Sequence, residues 1–125
     1  MGVLVGRQAP DFTAAAVLGN GEIVDNFNFA EATKGKKAVV FFYPLDFTFV
    51  CPSELIAFDK RLAEFEKRGV EVIGVSIDSQ FSHNAWRNTE IKDGGIGKVG
   101  YTLVADVKHE ICQAFDAEHP EAGVA

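Results

Sequence analysis

Hydrophobic and polar positions fall into short blocks whose period changes along the chain. "AVVFFYP", Ala38 to Pro44, is continuously apolar and rich in β-branched and aromatic residues, which is the pattern of a central strand buried on both faces in a parallel sheet. From Leu55 the period becomes helical: Leu55, Phe58, Leu62 and Phe65 form one stripe. Extending that stripe back one turn lands on Cys51. Pro52 suits the first helical turn, where its missing N–H has no intrahelical partner to lose. Gly69 then stops the helix, and Val70 to Ile77 read as a second strand. Strand, loop, helix, strand makes a βαβ unit.

The remaining blocks extend this order. Asn20-Gly21 between apolar flanks predicts a β-hairpin near the N-terminus. "FNFAEATKGKK" reads as an irregular connection holding one helical turn. Asp78 and Ser79 are placed to cap a helix running through Phe81, Ala85 and Trp86, which the glycines of "DGGIGKVG" interrupt. "YTLVAD" predicts a third core strand, and "VKHEICQAF" a short helix burying Val107, Ile111 and Phe115. "DAEHPEAGVA" has turn character and ends on an apolar run that stops. With 125 residues, 47% of them hydrophobic, the expectation is one α/β domain over residues 1–125.

Charge narrows the partners. Twelve Lys and Arg stand against eighteen Asp and Glu, a net charge of −6 that repels phosphate backbones and anionic membranes. Lys34-Gly35-Lys36-Lys37 is short, interrupted and without interleaved aromatics, so no nucleic-acid binding is expected. No window approaches about 18 consecutive apolar residues, so no membrane span is expected. The N-terminus lacks a signal-peptide pattern, and Gly6 stands where a myristoylation signal wants Ser or Thr. The expected location is the cytoplasm.

Two cysteines do not make a disulfide framework. Cys51 stands where a strand hands over to a helix, and free N–H groups and the positive end of the helix dipole favour thiolate there. A wall of Phe47, Phe49 and Val50 opposes this by desolvating the anion, so a cationic partner would settle the balance. Glu54 occupies the place of the second sulfur of a CxxC pair, which excludes a disulfide within the helix. Cys112 lacks such signals and reads as core packing. His109 and Cys112 are spaced for one metal ion, but no further ligands join them and no metal is expected. His83 and His119 read as surface or capping residues, and nothing marks a histidine as the oriented base of a Cys-His hydrolase.

The segment "FYPLDFTFVCPSE" closely resembles the active-site segment of peroxiredoxins, specifically the typical two-cysteine group that includes the alkyl hydroperoxide reductase C type. Pro44, Thr48 and Cys51 meet its P-x-x-x-T-x-x-C motif, and "GRQAPDFTAAAV", "VIGVSIDSQFSHNAW", "GGIG" and "LVADVKHEICQAF" are similar to the same group. The resemblance implies a thioredoxin-like α/β fold and a thiol peroxidase without metal or prosthetic group. Cys51 would be the peroxidatic cysteine, attacking the O–O bond and becoming a sulfenic acid. Thr48 would hydrogen-bond peroxide and thiolate, Pro44 would shield the sulfur, and Glu54 would support the family's catalytic arginine.

The resemblance further implies hydrogen peroxide and small alkyl hydroperoxides as substrates. A thioredoxin-like protein or a flavoprotein disulfide reductase would be the electron source. "GGIG" resembles the glycine motif of peroxiredoxins prone to over-oxidation. Phe49 and the region of Ser82 and Trp86 match loops that build a decamer of homodimers. Peroxiredoxins of this group continue past "EAGVA" into a strand bearing an active-site arginine, another strand, a long helix and a resolving cysteine. The 125 residues are therefore expected to be an incomplete domain, with an open sheet edge and weak or no turnover when isolated. The alternatives are a redox sensor or chaperone-like assembly module, and a one-cysteine peroxidase.

Overall fold

The computed structural model describes residues 4–48 and 51–125, Cys51 through its backbone alone. Five strands form one sheet: β1 (Thr13–Val17), β2 (Ile23–Asn28), β3 (Lys37–Phe42), β4 (Val70–Ser76) and β5 (Thr102–Ala105). The spatial order is β2-β1-β5-β4-β3. β3, β4 and β5 run parallel, while β1 pairs antiparallel with both β5 and β2. β1 and β2 are the expected hairpin. Gly21 sits at φ 91°, and the turn closes through Leu18 N–H to the Glu22 carbonyl at 2.8 Å and Gly21 N–H to the Leu18 carbonyl at 2.8 Å.

One expectation about the sheet fails. β3 lies at an edge, and Val39 to Phe42 are only half-buried. The physical reason is pairing: β4 takes one side of β3, and no strand among the described residues takes the other. β5 is the true centre, buried throughout from Thr102 to Ala105, and its neighbour β4 is buried from Val72 to Ser76.

Each sheet face carries its own core. One cluster joins Tyr43, Val72 and Leu103 of the sheet region to Leu55 and Trp86, with Phe58, Leu62 and Phe65 packed on it. Phe41 stacks on Phe58 with ring centroids 4.4 Å apart. A Cβ at position 74 would come within 2.9 Å of the Phe41 ring, so Gly74 lets that ring lie across β4. The other cluster joins Ala16, Ile73, Val75, Val104 and Ile111, with Phe42 and Phe115 against it.

The predicted stripe from Leu55 to Phe65 exists, but its helix is two helices, α2 (Cys51–Lys60) and α3 (Leu62–Lys67), following the short α1 (Phe29–Ala32). The break is at Arg61, whose N–H is shared between the Ala57 and Phe58 carbonyls at 3.3 and 3.2 Å. Ser79 caps α4 (Gln80–Arg87) as expected, its hydroxyl accepting from Ser82 N–H at 3.1 Å. The buried face of α4 is His83, Trp86 and Arg87, whereas Phe81 is 67% exposed. Arg87 donates to the Gly19 carbonyl and, at 3.2 Å, to that of Val99, tying the hairpin loop to the approach to β5. In α5 (Glu110–Ala114), Ile111 and Cys112 are buried. Val107 is 55% exposed, against expectation, because it lies in the turn before the helix.

Candidate active site

The carboxyl end of β3 leads directly into the segment that carries the motif. Tyr43 is the last buried residue of the strand end, Pro44 and Leu45 are exposed, and Asp46 turns back inward. The half-buried Thr48 donates its hydroxyl to the Leu45 carbonyl at 3.2 Å. Cys51 is the first residue of α2, as the sequence predicts, with Glu54 exposed in the first turn. The Cys51 side chain, Phe49 and Val50 lie outside the described residues, so the apolar wall is represented there by Phe47 alone.

Asp46 anchors this segment through a buried polar cluster. Its carboxylate accepts from the Tyr43 hydroxyl at 2.8 Å and lies 2.7 Å from His83 Nδ1. Its backbone N–H donates to Asp78 Oδ2 at 2.7 Å, which also accepts from the Ser76 hydroxyl at 2.7 Å. The other imidazole nitrogen of His83, Nε2, lies 2.9 Å from the Val104 carbonyl. A carbonyl only accepts, so Nε2 carries hydrogen and donates to it. Burial, with the neighbouring Asp46 charge, pushes the Tyr43 hydroxyl well above its ordinary value and keeps it a donor.

These contacts correct the reading of His83 as a surface or capping residue: it is fully buried, and both ring nitrogens are engaged. The missed signal is spacing. His83 shares one helical face with Trp86 and Arg87, a pattern that places a histidine inward. Asp46, Asp78 and His83 carry ligand-type atoms within 4.8 Å of one another, an arrangement one metal ion could use. Their mutual hydrogen bonds account for that proximity without one.

The second cysteine occupies a different setting. Asp106, at the end of β5, accepts from the backbone N–H of Ile111 at 3.0 Å and of Cys112 at 2.8 Å. Burial first, then the Asp106 carboxylate, pushes the Cys112 thiol from an ordinary 9.0 up to about 12. It is held as an inert thiol, as the sequence predicts. His109 precedes α5 at φ 64° and hydrogen-bonds Glu118, while His119 accepts from Glu121 and Ala122 N–H, so both bind local structure.

Comparison with known proteins places this geometry. The profile of the AhpC/TSA family matches residues 5–125. The chain is 54% identical over 123 residues to an alkyl hydroperoxide reductase C of Buchnera aphidicola subsp. Baizongia pistaciae, covering 98% of this chain and 62% of that relative. It is 52% identical over 122 residues to the protein of the same name from Buchnera aphidicola subsp. Schizaphis graminum, with coverage of 98% and 62%. The crystal structure of reduced Plasmodium vivax 2-Cys peroxiredoxin superposes with a TM-score of 0.90 at 41% identity, covering 96% of this chain and 72% of that one. The chain thus spans about three fifths of the length of these curated relatives.

Proposed function

The chain belongs to the AhpC/TSA family, and from that premise we propose that it carries the peroxidatic half of a thiol-dependent peroxidase. The observation that carries this reading is the position of Cys51: first residue of α2, the helix that follows the parallel strand β3, in a chain matched over nearly its whole length. A thiolate there attacks the nearer oxygen of a hydroperoxide. The S–O bond forms as the O–O bond breaks, the leaving alkoxide takes a proton, and Cys51 is left as a sulfenic acid.

The other motif residues take supporting roles. The Thr48 hydroxyl, now spent on the Leu45 carbonyl, is the group that would hydrogen-bond the peroxide and thiolate. Pro44 covers the approach to the sulfur, and Glu54 supports a cation brought near the first turn of α2. Hydrogen peroxide and small alkyl hydroperoxides are the proposed substrates. A second thiol and a thioredoxin-like or flavoprotein reductase would return Cys51 to the thiol, in an assembly of dimers acting in the cytoplasm. No helix among the described residues is long and apolar enough to cross a membrane.

Stopped-flow consumption of hydrogen peroxide tests the proposal. The chain should consume one equivalent per Cys51 in a single turnover, with a dimedone adduct on that residue, and Cys51→Ser should consume none. Equal consumption by Cys51→Ser would end the peroxidase reading.

A further inference from the structure

Three described residues other than glycine have positive φ: Phe47 at 60°, His109 at 64° and Asp116 at 55°. Asp and His tolerate this left-handed region through short polar side chains, but a bulky aromatic there is a true outlier. Phe47 occupies the third position of the turn from Leu45 to Thr48, where positive φ ordinarily calls for Gly or Asn. The chain therefore accepts local strain four residues before Cys51.

Two observations show what holds it. Upstream, Asp46 is fixed by Tyr43, His83 and Asp78. At position 47 itself, the ring lies 5.9 Å from that of the fully buried Trp86, whose Nε1 is tied to the Gly94 carbonyl at 3.1 Å. Phe47 is nonetheless 52% exposed, so apolar burial alone is a weak reason for its presence. Strain persists where the surroundings over-determine a conformation, and such sites cluster at functional segments.

We infer that Phe47 is a positioning residue: its left-handed backbone, clamped between the Asp46 anchor and the Trp86 ring, sets the turn that positions Thr48 ahead of α2. The inference rests on the peroxidase reading for its chemical consequence. Its signature is an order among variants. Phe47→Ala loses the ring and keeps the strain, Phe47→Gly loses the ring and relieves the strain, and Phe47→Tyr keeps both.

The test uses the 125-residue chain with two readouts: amide hydrogen exchange across residues 45–48, and the pH midpoint for alkylation of Cys51 by iodoacetamide. Exchange should be fastest in Phe47→Ala, intermediate in Phe47→Gly, and unchanged in Phe47→Tyr. The midpoint should rise in the same order, by about one unit for Phe47→Ala, a tenfold loss of thiolate at neutral pH. If Phe47→Gly perturbs both readouts as much as Phe47→Ala, the strained backbone plays no part and the inference falls. It falls equally if all three variants match the parent. A parent midpoint at the ordinary thiol value with the exchange order intact would remove the peroxidase reading and leave the positioning role of Phe47 standing.

Discussion

Two junctions in this molecule carry a cysteine at or near the start of a helix that follows a parallel strand, and they are built to opposite ends. At the β5–α5 junction the free N–H groups of Ile111 and Cys112 are taken by the Asp106 carboxylate. The negative charge that the helix N-terminus can stabilise is already present, so a second, on sulfur, is repelled and desolvated. At the β3–α2 junction the inward carboxylate, Asp46, is engaged instead by Tyr43 and His83. Its charge is satisfied by Tyr43 and by His83 of α4, and the proposed function puts the thiolate of Cys51 at the start of α2. Placing a cysteine at a helix start is therefore insufficient for reactivity. The proposal for Cys51 requires that the partners taken by the neighbouring carboxylate separate an activated thiol from the inert one at Cys112.

Breaking the β3–α2 junction should cost most. His83→Ala leaves the Asp46 carboxylate buried without its main partner, and urea unfolding should show a loss of about 3–5 kcal/mol. Asp106→Ala orphans two backbone N–H groups at the β5–α5 junction and should cost about 2 kcal/mol. It should also lower the pKa of the Cys112 thiol, because one of the causes raising it is gone, though burial still holds it above an ordinary thiol. Cys112→Ala should cost about 1 kcal/mol through the small cavity it leaves, with peroxide consumption unchanged.

The same comparison fixes the alkaline limit of stability. The folded value of Cys112 is raised from 9.0 to about 12, so its contribution is fully present below pH 9. Between pH 9 and about 12 the unfolded chain binds fewer protons than the folded one, and stability falls as pH rises. Urea midpoints measured across that window should decline. Cys112→Ala should remove the earliest part of the decline, and the buried hydroxyls of Tyr43 and Tyr101, both raised, should carry the later part.

The sequence made much of this legible because its strongest signals are local. The Asn20-Gly21 turn, the Ser79 cap, the stripe from Leu55 to Phe65 and the start of a helix at Cys51 each depend on a few neighbouring residues, and each is found. What escaped depends on partners distant in the chain. A continuous apolar run announces a strand meant for burial but says nothing of how many strands flank it, so the pattern predicts β3 at the centre and the fold places it at the edge. His83 meets Asp46 across 37 positions and Val104 across 21, and only its place on the inner face of α4 hinted at either. The positive φ of Phe47 has no sequence signature, since the residue there breaks the rule for such turns.

Titrating both cysteines in one sample tests the contrast between the junctions most directly. Iodoacetamide labelling of the folded chain from pH 5 to 10, read by peptide mass spectrometry, should give Cys51 a midpoint well below the ordinary thiol value of about 8.5 and leave Cys112 unlabelled throughout. A Cys51 midpoint at or above that value, or labelling of Cys112 ahead of Cys51, would contradict the account.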